Sequence, residues 1–326
     1  MKPRIIKTNA EKPGEEILEA AEYIKQGKLV AFPTETVYGL GADALNEKAV
    51  RRIFEVKGRP ADNPLIVHVS RIEQIYEIAE PNDVAEELIE KFFPGPLTLV
   101  MKNKKVPKIV TAGLETVAIR MPNHKVALKL IDYSSPIAAP SANKSGKPSP
   151  TKAEHVLEDF NGEIECIIDA GETIIGLEST VVDTTVYPLE ILRPGGVTKE
   201  EIERYFEVRF AEEVGTPKSP GMKYRHYAPK AELIVLVGDG FFEKALEVAK
   251  NFEKRGKRVG IAGLGIKGEN CFNLGDSLQD FAKNLFKALR ELDKKCDLII
   301  MQGVEEKGLG KAIMNRLKKA GKIYRI

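Results

Sequence analysis

"KGRPADNPLIVH", residues 57–68, joins a helical pattern to a strand pattern through a cationic loop stiffened by two prolines, and its reading decides the fold of the chain's larger part. Upstream, "EKAVRRIFEVK" sets Ala49, Val50, Ile53 and Phe54 in one helical stripe, with Asn46 suited to the N-cap. Lys57 therefore falls at a helix end. Downstream, "PLIVHV" is short, apolar and β-branched, as a buried strand is.

The pattern extends in both directions. Ahead of it, "EEILEAAEYIKQG" puts Ile17, Ala21 and Ile24 on one helical face with Gly27 at the C-cap, and "LVAFPTETVYGLGADAL" reads as a buried strand running into a loop. Behind it, "PLTLVM", "TVAIRM", "SPIAAP", "CIIDAG", "STVVDT" and "LEILRPG" are further short strands among helical patterns. Thr151 with Glu154, and Thr198 with Glu201, have capping-box spacing. Strands and helices so interspersed predict an α/β or mixed α+β domain, filling residues 1–207.

From Val208 the periodicity lapses through "AEEVGTPKSPGMKYRHYAPK", too long for an ordinary connection, so residues 208–230 are a linker or a functional lid. The pattern restarts as "ELIVLVG", "FEKALEVAKNFEKRG", "RVGIAG", "SLQDFAKNLFKALRELDKK", "DLIIMQ" and "KAIMNRLKKAG". Strand and helix alternate here, so residues 231–326 are a smaller domain with a parallel sheet.

Composition excludes several classes. Fifty Lys plus Arg against 48 Asp plus Glu leave a net charge of +2, far from the balance of a protein that grips nucleic acid through phosphates. Any anion site is local. Three scattered cysteines and four histidines without ligand spacing write neither a disulfide framework nor a zinc site, and the thiols read as reduced. A charged N-terminus and the absence of a long apolar run point to the cytoplasm, with no membrane contact.

Individual motifs need their context. "GLGIKG", Gly263–Gly268, fits a dinucleotide fingerprint, yet "ENCFNLGDS" stands where the helix should open. "KGLGKAIM" hints at a phosphate loop, but Ala312 occupies the place of the metal-binding hydroxyl, so a plain helix start is expected. "PSANKSG" presents Ser141 and Asn143 after an apolar strand; taken alone it reads as a solvent loop. Ser141 lacks the elbow motif and a neighbouring base, which argues against a hydrolase nucleophile. Lys57, Arg59, Arg120 and Arg193 each lie at an element end, where cations can converge on an anion.

In order, "FPTETVYGLGADA", "KGRPADNPL", "PGPLTLV", "VAIRMP", "APSANKSGKPSPT", "STVVD" and "LRPG" resemble the YrdC-like threonylcarbamoyl-AMP synthase family, from about residue 15 to 205. The remainder resembles the family's long form, with "SPGMKYRHYAP" joining the synthase domain to a Rossmann-like one. The resemblance implies a twisted mixed-sheet α/β domain followed by the smaller parallel-sheet domain. It implies condensation of L-threonine, bicarbonate or CO2, and ATP with Mg2+ into threonylcarbamoyl-adenylate, with release of pyrophosphate. The product would pass to a tRNA threonylcarbamoyl transferase complex for a modification beside the anticodon, with at most weak direct tRNA contact.

Motif position then implies roles. Thr36, His68, Arg120, Ser141 and Thr180 match the threonine side, Arg120 facing the carboxylate. Lys57 and Arg59 face carbamate and phosphates; Asn63, Thr116, Asn143, Thr151 and Arg193, with Arg59, match the nucleotide side. Tyr224 and Tyr227 of the linker would touch ATP if it closes as a lid. No Asp or Glu stands out as a general base, and an anionic carbamate needs none for its own attack. Two rival readings stand beside this one. A double-stranded RNA binder is disfavoured by the charge balance, and a carbamoyltransferase maturation factor by missing zinc-finger cysteines.

Overall fold

The computed structural model describes residues 2–212 and 226–326. They gather into two compact units: residues 2–145 with 150–174 and 178–212, and residues 146–149 with 175–177 and 226–326.

The first unit is built on a mixed, twelve-stranded sheet. Its strand order is Arg4–Lys7, Cys166–Asp169, Val30–Phe32, Gly39–Asp43, Ile137–Ala138, Ile66–His68, Thr116–Arg120, Leu97–Asn103, Thr180–Asp183, Leu189–Arg193 and Val208–Phe210, with Ala79–Glu80 paired onto Leu97–Asn103. All the apolar runs read as strands are strands. The N-terminal Arg4–Lys7 was missed because only Ile6 of its four residues is buried, so a charged segment hides an edge strand. The lapse in periodicity from Val208 also conceals one: Val208–Phe210 pairs parallel with Leu189–Ile191.

Helix ends follow local chemistry. Asn46 caps Glu47–Lys57 by accepting from the Ala49 N–H (3.2 Å), and the stripe of Ala49, Val50, Ile53 and Phe54 is buried, together with Lys57. Gly58, at φ 61°, ends the helix in the left-handed conformation that favours glycine. The Thr198–Glu201 box forms, with Thr198 N–H donating to the Glu201 carboxylate at 2.7 Å. The box expected at Thr151 does not. Helix Ala153–Phe160 begins after Lys152, and the Thr151 N–H, which the box would direct to Glu154, donates to His155 Nδ1 (3.3 Å), while its carbonyl accepts from the Thr173 N–H (2.9 Å).

The second unit is a five-stranded sheet, ordered Cys271–Asn273, Val259–Gly263, Leu298–Gln302, Glu232–Val237 and Lys322–Arg325, with every pairing parallel. Its helices are Phe241–Glu253, Leu278–Asp293, capped by Ser277, and Leu309–Ala320. After Gly263 the chain enters strand Cys271–Asn273, so no helix opens at the "GLGIKG" glycines and the failed fingerprint is explained. "KGLGKAIM" is a plain helix start at Leu309. No helix among the described residues is long and apolar enough to cross a membrane. Cys166 and Cys296 are buried free thiols, and burial pushes the Cys166 thiol up to about 12.

His68 ends strand Ile66–His68 at 4% exposure, edge-on to Phe32 with ring centroids 6.1 Å apart. Burial, with the Arg120 charge, pushes its pKa down to about 3. The folded chain holds this imidazole neutral, whereas the unfolded chain protonates it below about pH 6.5. Its contribution to stability is thus complete above that pH and is lost as pH falls toward 3. Denaturant unfolding between about pH 6.5 and 5 should fall by up to about 1.4 kcal/mol per pH unit more steeply in wild type than in His68→Gln. Equal slopes would show that His68 takes up its proton in the folded state.

Candidate active site

The turn at residues 33–38, between strands Val30–Phe32 and Gly39–Asp43, is a hub for the residues singled out in the first unit. Within it Thr34 Oγ1 donates to the Val37 carbonyl (2.7 Å) and lies 2.8 Å from Thr36 Oγ1, so the turn is held by its own hydroxyls. Backbone bonds radiate from it: Tyr38 N–H to the Pro150 carbonyl (2.9 Å), Ala142 N–H to the Tyr38 carbonyl (2.8 Å), and Ile174 N–H to the Glu35 carbonyl (3.2 Å). Thr151 and the "PSANKSG" loop are thereby fixed against one element.

Arg120 is the centre of one group. Strand Thr116–Arg120 pairs parallel with Ile66–His68, and the register sets His68 opposite Arg120. The guanidinium is 3% exposed; Nε donates to the Gly95 carbonyl (3.2 Å) and Nη1 to Thr36 Oγ1 (2.9 Å). Nη2 lies 2.7 Å from Glu35 Oε2 as an ion pair, outside hydrogen-bonding angles. Glu35 is the residue that the sequence reading missed. Its one signal is an acid standing alone in the run "FPTETVYG". Thr36, His68 and Arg120 are thus brought together. Thr180 joins through the same loop, its N–H donating to the Pro96 carbonyl (3.0 Å), while its hydroxyl is engaged with Val197.

Lys57 is the centre of a second group. Its ammonium is 3% exposed and donates to the Ser141 carbonyl (2.6 Å) and to that of Asn143. A helix-end cation thus sets the loop that carries Ser141 and Asn143, and Ser141 also bridges Gly39. Arg59 Nη2 donates to the carbonyls of Asn63 and Pro64, both at 3.2 Å, so the cationic loop closes on itself and holds Asn63 at 1% exposure.

Among the described residues, the other predicted ones make no hydrogen bond or ion pair with Arg120 itself, and each has partners of its own. Thr116 opens the strand that Arg120 ends, about 13 Å away by strand rise, where the 57–65 loop enters the neighbouring strand. Arg193 donates from Nε (3.2 Å) and Nη2 (2.9 Å) to the Ser179 carbonyl, and Ser179 Oγ lies 2.7 Å from Thr98 Oγ1. Thr151 donates its N–H to His155 Nδ1 at 3.3 Å. Tyr227 belongs to the second unit, 5% exposed and stacked on Phe286 with centroids 5.3 Å apart; Tyr224 lies outside the described residues.

Chemically, the Arg120 group offers a buried cation beside a buried anion with hydroxyls around them. The Lys57–Arg59 loop offers two further cations at a rigid backbone. A separate cleft of 680 Å³ in the second unit, at the carboxyl ends of Glu232–Val237 and Leu298–Gln302, is lined by Asp239, Glu305, Glu306, Lys318 and Arg325 among others. None of the predicted residues lines it, and its charges are of both signs.

A family model described as "Telomere recombination" matches residues 22–195, and one described as "Threonylcarbamoyl-AMP synthase, C-terminal domain" matches residues 197–321. The threonylcarbamoyl-AMP synthase of Pyrococcus abyssi is 58% identical over 320 residues, 94% of this chain and 94% of its own. That of Bacillus subtilis is 46% identical over 330 residues, 95% of this chain and 94% of its own. Among solved structures, P. abyssi Sua5 complexed with L-threonine superposes with a TM-score of 0.94 at 53% identity, covering 99% of each chain. The chain belongs to the two-domain, YrdC-like threonylcarbamoyl-AMP synthase family.

Proposed function

We propose that the chain condenses L-threonine, bicarbonate or CO2, and ATP into L-threonylcarbamoyl-adenylate, releasing pyrophosphate. The observation that carries this is full-length likeness to a chain solved with L-threonine, at a TM-score of 0.94, in a first unit that holds both a buried Arg120–Glu35 pair and a cationic loop. RNA binding without turnover has no such support.

The chemistry divides between the two groups. Threonine carboxylate is matched to Arg120, with Thr36, His68 and Ser141 about the amino acid; Thr180 acts through the backbone beside it. Once the amine has taken up CO2, the carbamate oxygen attacks the α-phosphorus of ATP and pyrophosphate leaves. Negative charge then accumulates on phosphate oxygens, which Lys57 and Arg59 would neutralise from a loop already held in place, so little reorganisation is needed during the step. Asn63, Thr116, Asn143, Thr151 and Arg193 are the proposed nucleotide contacts, and Tyr224 and Tyr227 the proposed linker contacts.

The charge of the ATP phosphates would be partly neutralised by magnesium bound to them, with Lys57 and Arg59 the protein cations proposed for the same phosphates. Among the described residues no three His, Cys, Asp or Glu side chains gather to hold a metal ion. A cytoplasmic location and transfer of the labile product to a tRNA-modifying complex complete the proposal.

Pyrophosphate release, followed with the purified full-length chain, should require ATP, L-threonine and bicarbonate together. Arg59→Ala should lower the rate by about 10²-fold or more while leaving the melting transition within a few degrees of wild type. ATP turnover that persists without both threonine and bicarbonate would overturn the synthase reading, and wild-type activity in Arg59→Ala would remove that residue from the site.

A further inference from the structure

An ammonium has no lone pair, so L-threonine must shed a proton from nitrogen before it can attack CO2. The structure contains a group suited to receive it. Glu35 is 5% exposed, and neither carboxylate oxygen makes a hydrogen bond to a described residue, although Oε2 lies 2.7 Å from Arg120 Nη2. Arg120 Nη2 makes no hydrogen bond to a described residue either. A buried ion pair is normally tolerated where hydrogen bonds satisfy its remaining capacity, and here that capacity is left open on both carboxylate oxygens and on the guanidinium nitrogen that faces them.

Opposite charges side by side, each with hydrogen-bonding capacity to spare, match the two ends of an α-amino acid zwitterion. A simple anion would meet Arg120 but be repelled by Glu35, and a simple cation the reverse. Building on the synthase reading above, we propose that Glu35 is a catalytic residue that binds the ammonium of L-threonine and accepts its proton.

The neighbouring groups leave Glu35 as the acceptor. His68, in register with Arg120, is kept neutral by burial and by that guanidinium, so it offers an ammonium no countercharge. His124, before helix Lys125–Tyr133, is pushed below its ordinary value by burial, though the Glu35 charge acts the other way. Lys57 is a cation with no lone pair to take a proton, and Thr34 and Thr36 are hydroxyls bonded within the turn or to Arg120.

The step balances. The ammonium gives one proton to the Glu35 carboxylate, and the freed lone pair forms the C–N bond to CO2 while one C=O pair moves onto oxygen. The surplus N–H proton of that adduct leaves to water, and Glu35 returns its own to solvent. Threonine ammonium plus CO2 becomes the N-carboxylate plus two protons.

The test compares wild type, Glu35→Gln and Glu35→Asp in pyrophosphate release from about pH 7 to about pH 9, each rate taken as a ratio to wild type so that the pH dependence of the CO2 supply cancels. Glu35→Gln should be slower by about 10²–10⁴-fold at neutral pH, with the deficit shrinking about tenfold per pH unit as the medium itself deprotonates the free amino acid. Glu35→Asp should fall between the two. A deficit independent of pH would mark a structural role and overturn the proposal. A second measurement needs no variant: 2,3-dihydroxybutanoate of threonine's configuration, with hydroxyl in place of amine, should compete with L-threonine for wild type at least about tenfold more weakly than threonine binds. Equal affinity would overturn the proposal while leaving the synthase reading intact. Wild type that needs neither threonine nor bicarbonate would overturn both.

Discussion

A carboxylate and a guanidinium, 2.7 Å apart and 5% and 3% exposed, set the terms for the first unit's candidate site. Removing two charges from water costs several kcal/mol per ion, and their attraction offsets this only when hydrogen bonds complete the arrangement. The Glu35–Arg120 pair lacks that completion on facing atoms, so stability alone does not account for it. A zwitterionic ligand does. The remaining guanidinium bonds, to Thr36 and to the loop at Gly95, make the pair rigid, so a substrate meets charges already in position.

The pair depends on a scaffold of backbone bonds. The 33–38 turn is tied to Pro150, Ala142 and Ile174, and the loop carrying Ala142 is held by the Lys57 ammonium through the Ser141 and Asn143 carbonyls. Lys57 can reach them because Gly58 ends its helix in the left-handed conformation and turns the chain into the proline-bounded loop. The same local sequence thus terminates a helix, supplies a buried cation, and presents Arg59 on a loop that closes on itself.

Much of this was legible in the sequence. Strands such as "PLIVHV" and "STVVDT" are β-branched runs that only a buried strand explains, and Asn46 and Thr198 cap helices by their own side chains. The misses share a cause. Arg4–Lys7 and Cys271–Asn273 are short edge strands with few buried residues, so their periodicity carries almost no signal. Thr151 has the composition of a cap, but its N–H is claimed by His155 Nδ1, a bond that capping-box spacing does not reveal. Motif resemblance reached Arg120, Thr36 and Lys57. Glu35 acquires its meaning only when the sheet brings Arg120 against it across 85 positions of sequence.

The central claim is that the buried pair serves a zwitterion rather than the fold. The most direct measurement replaces both charges at once, Glu35→Leu with Arg120→Met, and reads thermal stability together with L-threonine affinity by calorimetry. Apolar replacement of a whole buried pair is often neutral or stabilising, whereas removing one partner costs about 3–5 kcal/mol. The account predicts a double variant that melts near wild type and has lost L-threonine binding by about 10²-fold or more. A double variant that binds L-threonine as wild type does would contradict it.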